Sequence, residues 1–209
     1  KMLSKNKIKY IHSLELKKNR IAERAFVAEG NKLVADMLPF FSCKLLVAKP
    51  CWMATQGDIS AEELLVAEEE DIRKASFLKN PQDVLAVFAM PDWQIETASP
   101  QQDLVLALDG IQDPGNLGTI IRLADWFGIE HIVCSKDTAD VFNPKVVQAT
   151  MGALAHVKVC YTDLETYLTA CRKQSIPVYG TFLDGENMYD RTISSRGVIV
   201  MGNEGNGIR

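Results

Sequence analysis

"DLVLALDGIQDPGNLGTIIR", residues 103–122, passes from an unbroken apolar segment through a turn into a second apolar segment of different period. Residues 103–111 read as a strand, with 104–108 apolar without alternation as in one covered on both faces. Asp113-Pro114-Gly115-Asn116 ends that strand. Leu117, Ile120, Ile121, Ala124 and Phe127 then share one helical stripe. This predicts a helix over 117–128 with Asn116 as its N-cap. The rest of the second half repeats the unit. "HIVCS" (131–135), "VKVCY" (157–161), "PVYGTFL" (177–183) and "GVIVMG" (197–202) read as strands. Residues 144–155, with Pro144 in the first turn, and 163–175, with Asp163 as N-cap, read as helices. The expected fold is α/β, with a parallel sheet covered on both faces. Such sheets bind ligands in loops beyond the carboxyl ends of their strands.

The first half reads as a small three-layer α/β unit. Ile8, Ile11, Leu14 and Leu16 follow helical spacing, with lysines opposite. "AFVAEG", "CKLLVAKP" and "DVLAVFAMP" read as strands and "NKLVADMLPF" as a helix. "SAEELLVAEEEDIRKAS" mixes a strand-like centre with helical flanks, one opening at a Ser60-x-x-Glu63 capping signal. Residues 92–103, "DWQIETASPQQD", are polar and aperiodic, as in a linker. These signals set a first domain at 1–93, a linker at 94–102 and a second domain at 103–209.

No apolar run approaches the roughly 20 residues that span a bilayer, and the lysine-rich start lacks the apolar core of an export signal. The expectation is a cytoplasmic protein without a membrane partner. The five cysteines are scattered and form no C-x-x-C pair, so reduced thiols and no metal site are expected. His131, at the start of an apolar run, reads as a strand-edge residue. Net charge is −4, but residues 1–24 hold eight Lys or Arg against two Glu. A basic arm on an acidic chain suits a polyanionic partner.

Three loops meet the carboxyl-end rule. The 109–122 stretch carries neither G-x-G-x-x-G nor G-x-x-x-x-G-K-[ST], which excludes the common dinucleotide and P-loop patterns. Arg122 lies four residues after Gly118, one turn into the helix, beside a position without a side chain. The second loop is "GTFLDGEN" (180–187). The third is "VMGNEGNG" (200–207), where glycines let the backbone approach a ligand and Glu204 stands as a lone carboxylate.

Taken together, these motifs resemble the SpoU (TrmH-type) RNA 2′-O-methyltransferases. "DPGNLGTIIRLADWFGI" is similar to their first motif, an N-x-G-x-x-x-R helix, and "VIVMGNEGNGI" to their second. "ATMGALAHVKV" is similar to a Gly-Ala-Leu segment, with Met151 in place of the usual small residue. "SKNKIKYIHSLELKKNR" with "FVAEGNKLV" resembles the small substrate-binding domain of many members, itself similar to RNA-binding ribosomal proteins. The resemblance implies a SPOUT fold with a C-terminal trefoil knot, S-adenosylmethionine as donor, an rRNA or tRNA ribose as acceptor, and a homodimer. It implies Asn116, Arg122 and Glu204 as catalytic, and Thr181, Leu183, Met201, Gly202, Asn203 and Gly207 as cofactor-binding. Structured RNA would be held by Lys5, Lys7, Lys9, Lys17, Lys18 and Arg20. A third motif that completes the knot would follow Arg209. Two rival expectations stand beside this one. The first is a non-catalytic RNA-binding dimer, if the chain natively ends there. The second is a small-molecule enzyme on an ordinary doubly wound sheet.

Overall fold

The computed structural model describes residues 3–180, 194–202 and 208. Contacts divide the chain into two units, Lys1–Pro91 with Asp140–Ala155 and Asp92–Ala139 with His156–Arg209. The chain therefore passes between units three times, after residues 91, 139 and 155.

In the first unit, α1 (Lys5–Ser13) and α2 (Lys17–Glu23) precede β1 (Ala25–Glu29), α3 (Asn31–Met37) and β2 (Cys43–Ala48). The short α4 (Pro50–Met53), β3 (Glu63–Val66), α5 (Glu69–Ala75) and β4 (Val84–Ala89) follow. The sheet order is β1-β4-β2-β3, and only β2 and β3 run parallel. Ser4 caps α1 by accepting the Lys7 N–H. Leu14, fully buried, ends that helix, and the periodicity continues as the separate α2. Ile11, Leu14, Ile72 and Ala75 pack on Val27, Leu45, Val47 and Val87, which form one face of the sheet. Elsewhere in the unit Phe26 meets Phe41, Phe88 and Phe142, the last with ring centroids 4.8 Å apart. Phe142 leads into α7 (Pro144–Thr150), so this helix packs with the first unit. No helix starts at Ser60. Glu63 instead opens β3, because pairing of 63–66 with β2 overrides the local capping pattern.

The second unit holds β5 (Leu104–Asp109), α6 (Pro114–Trp126), β6 (His131–Ser135), β7 (Lys158–Thr162), α8 (Leu164–Lys173), β8 (Val178–Gly180) and β9 (Gly197–Gly202). Its sheet order is β7-β6-β5-β9-β8, parallel throughout. Leu164 and Cys171 of α8 cover Val105, Ala107, Val133, Val198 and Val200. Asp163 caps α8 by accepting the Thr166 N–H, as its sequence position predicts. The 92–103 stretch is not free of structure: Ile95 starts a 3-10 turn, and it packs with Ala98 against this core. The knot expected from the resemblance runs through residues outside the described ones.

Candidate functional site

β5 and β9 are adjacent and parallel, with Asp109 opposite Gly202, and β8 joins β9 with Gly180 opposite Val200. The turn into α6 and the chain leaving β9 therefore emerge side by side at one carboxyl edge. Asp113, not Asn116, caps α6: its Oδ2 accepts the Asn116 N–H at 2.8 Å. Pro114 sets this start, since its ring fixes a helical φ and it has no N–H to satisfy. Asn116 thus sits in the first turn with its side chain exposed. Arg122, also exposed, lies six residues on, about 9 Å along the axis. Gly118 is buried with Leu117, Ile121 and Ala124, and Arg122 stands at the exposed edge of that stripe. Phe127 departs from the expected stripe. The helix ends at Trp126, and Phe127 is 73% exposed, with Trp126 at 85% and Leu123 at 50%. The end of α6 is thus left with three uncovered apolar side chains.

A buried hydroxyl cluster fixes the turn before α6. The Ser135 hydroxyl donates to Asp137 Oδ1 at 2.7 Å and accepts the Gly110 N–H at 2.8 Å. Thr138 Oγ1 lies 2.9 Å from Ser135 Oγ, and Ala139 N–H donates to the Ile111 carbonyl at 2.8 Å. With the Ser135 proton committed to Asp137, the one Thr138 hydroxyl proton lies between Ser135 Oγ and the Leu108 carbonyl, which it reaches at 3.4 Å. Gly110 adopts φ 67, open to glycine at no steric cost. Sequence reasoning missed Ser135 and Thr138. The only local signal was a serine closing an apolar strand.

At this edge lies a cavity of about 670 Å³, within the usual range for small-molecule sites. Asp109, Ser135 and Thr162 give it a polar side, and Leu168, Val200 and Ile208 an apolar one. Met201 and Gly202, expected to meet a cofactor, end β9 half-buried. Thr181, Leu183, Asn203, Gly207 and the catalytic candidate Glu204 lie outside the described residues. Gly180, Val200 and Ile208, chain neighbours of Thr181, Met201 and Gly207, all line the cavity. The lining also holds the acids Asp137, Asp163 and Glu165 and the cations Lys136 and Arg172, so apolar, hydroxyl and charged groups are all available to a ligand with a flat apolar part, sugar hydroxyls and charge, as S-adenosylmethionine has.

Four of the five thiols suit no nucleophilic role. Burial raises Cys43 to about 11 and also raises Cys134, Cys160 and Cys171, which keeps them protonated. His131 is held below its ordinary range, first by burial and then by Lys158.

Of the basic candidates, Lys5, Lys9, Lys17 and Lys18 are exposed. Lys7 is ion-paired with Glu63. Arg20 is a correction. It is 1% exposed and bonded to Asp140 and to the Leu14 and Glu15 carbonyls, so its guanidinium is closed to a phosphate.

Residues 103–209 match the SpoU rRNA Methylase family and residues 5–86 the MRM3-like substrate binding domain. The chain is 31% identical over 205 residues to the 23S rRNA (guanosine(2553)-2′-O)-methyltransferase RlmP of Bacillus subtilis, covering 97% of this chain and 81% of that one. It is 35% identical over 144 residues to mouse mitochondrial rRNA methyltransferase 3, of which it covers 34%. Among solved structures it resembles a putative RNA methyltransferase of the TrmH family from Porphyromonas gingivalis, at 43% identity and TM-score 0.91, over 100% of this chain and 84% of that one. It also resembles an AdoMet-bound rRNA methyltransferase from Sinorhizobium meliloti, at 33% identity and TM-score 0.83, over 99% and 81%. Two motifs leaving adjacent strands, and matches spanning both halves, lead to one conclusion: the chain belongs to the SpoU rRNA methylase family.

Proposed function

We propose that this chain transfers a methyl group from S-adenosylmethionine to a ribose 2′-hydroxyl of rRNA. The observation that supports the reading is the pairing of β5 with β9, Asp109 opposite Gly202, at an edge where Asp109 and Val200 line the cavity and from which the chain runs on to α6. The names of the relatives favour rRNA over tRNA. Residues 1–93 hold the RNA and 103–209 carry the chemistry. S-adenosylmethionine supplies, when bound, a methyl on a cationic sulfur open to in-line displacement. Met201 and Gly202, with Thr181, Leu183, Asn203 and Gly207, hold it. The chain must place the ribose hydroxyl in line and stabilise charge growing on its oxygen. A guanidinium offers a planar fork of donors and no acceptor, so Arg122 serves as a fork on the phosphate beside the target ribose and as a counter-charge, not as a base. Asn116, about one and two-thirds turns earlier, orients the ribose, and Glu204 completes the acceptor side.

The uncovered end of α6 is read as the contact with a second copy. Its three apolar side chains expose on the order of 400 Å², about half of the ~800 Å² that each partner buries in a stable interface. Among the described residues no helix is long and apolar enough to cross a membrane, and a cytoplasmic site of action is part of this reading.

The test is incubation with total rRNA, total tRNA and labelled donor, followed by alkaline hydrolysis. Label in an alkali-resistant rRNA dinucleotide is expected. Arg122→Ala should lower the rate by about 10²–10³-fold, and Arg122→Lys should not restore it. Full activity of Arg122→Lys would refute the bidentate role. RNA binding with no transfer would favour the non-catalytic alternative.

A further inference from the structure

Arg24 ends α2 in the left-handed region, at φ 49 and ψ 48. A residue with a Cβ is strained there, and glycine is the usual occupant of such a helix end. The backbone role of the position is complete without the side chain. The Arg24 N–H returns to the Arg20 and Ile21 carbonyls, and its carbonyl accepts from Met90 N at 2.8 Å. The side chain is exposed, and among the described residues no hydrogen bond or ion pair engages its guanidinium.

Its surroundings are cationic. Lys44 reaches from β2 to the last turn of α2, where its Nζ donates to the Glu23 carbonyl at 2.8 Å. That places an ammonium one residue from Arg24. Lys17 and Ile21 precede Arg24 by seven and three positions, so they share its side of the helix, and Lys18 flanks them. All three are exposed. Residues 15–24 set Glu15 and Glu23 against the exposed Lys17, Lys18 and Arg24, and Lys44 adds a fourth cation from β2. Arg20, buried and held by Asp140, anchors the helix that presents this face.

We propose that Arg24, with Lys17, Lys18 and Lys44, forms a phosphate-contacting patch on α2, and that a non-glycine residue stands at the strained cap because its side chain binds RNA. The proposal rests on the rRNA reading above and replaces the buried Arg20 with Arg24 as the arginine of the arm. An exposed isoleucine among the cations suits a ribose–phosphate backbone, which offers apolar ribose faces between its charges.

Arg24→Gly is the informative variant, because it relaxes the backbone while deleting the charge. Its Tm should stay level or rise by about 2–4 °C. Its affinity for a large-subunit rRNA transcript should fall about three- to fivefold. The slope of log affinity against log salt should shrink by about 1, and Arg24→Lys should keep it. Loss of affinity together with a lower Tm would overturn the proposal, since the arginine would then serve the fold. Unchanged affinity and slope would also overturn it, while weaker binding by Lys17→Ala/Lys18→Ala would leave the RNA reading standing. If the unaltered chain bound neither the transcript nor poly(U) in a salt-dependent way, the RNA reading itself would fall, and the proposal with it.

Discussion

Arg20→Ala is the sharpest test of how the first unit is held together. The Arg20 Nε and Nη2 donate to Asp140 Oδ2 at 3.2 and 2.7 Å. Its Nη1 donates to the Leu14 and Glu15 carbonyls at 3.0 and 2.7 Å. Hydrogen bonds to a charged group contribute about 1.5–3 kcal/mol each, and four summed at that value would overshoot. The ion pair was desolvated to form, and that cost offsets much of the sum. Truncation removes the offset but leaves Asp140 without its counter-charge. Breaking a buried pair in this way costs about 3–5 kcal/mol. The exposed Lys74–Glu70 pair, screened by solvent, contributes little by comparison. We expect guanidinium-chloride unfolding of Arg20→Ala to show a loss near 4 kcal/mol. Because the pair joins α2 to the segment before α7, amide exchange should quicken in both. Arg20→Ala/Asp140→Ala should lose at least 1 kcal/mol less than the two single losses added. A loss below 1 kcal/mol for Arg20→Ala, or strict additivity, would refute the reasoning.

Three further outcomes follow from the same structure. Gly197 opens β9 at φ +118, and a Cβ there would lie 2.5 Å from the Pro177 carbonyl oxygen, so Gly197→Ala should cost about 3 kcal/mol by thermal unfolding. Asp113→Ala removes the α6 cap and should cost about 1 kcal/mol, a Tm fall of about 2–4 °C. His131 has a folded pKa below its ordinary 6.5, from burial and Lys158, partly countered by Glu130 and Asp103. The unfolded chain therefore binds the proton more readily, and this stability is full above pH 6.5 and lost as pH falls through the folded pKa. His131→Gln should flatten the Tm–pH curve just below pH 6.5, and an unchanged curve would contradict the assignment.

Legibility followed the range of the interactions. The strands of 104–109 and 197–202 were readable because burial on both faces leaves an unbroken apolar run. Asp163 was readable as a cap because its partner, Thr166, is three residues away. Asp113 lost to Asn116 in the sequence reading because both are good caps. The proline between them decides the case only when its fixed φ is counted. The Ser60 signal failed because a capping pattern is local and weak beside the pairing of 63–66 with β2.

By itself the sequence determined the parallel α/β character of the second half, the basic arm, and the two motifs that identify the family. All of these are carried by neighbours within a few residues. Only the tertiary structure decided which arginine of the arm faces solvent. Arg20 and Arg24 are one helical turn apart and alike in sequence. A carboxylate 120 positions away buries the first, while a left-handed backbone turns the second outward. It also decided that 140–155 pack with the first unit, and that Ser135 and Thr138 hold the turn before α6. Contacts at such separations leave no period in a sequence, because they follow from where the folded chain brings distant groups together.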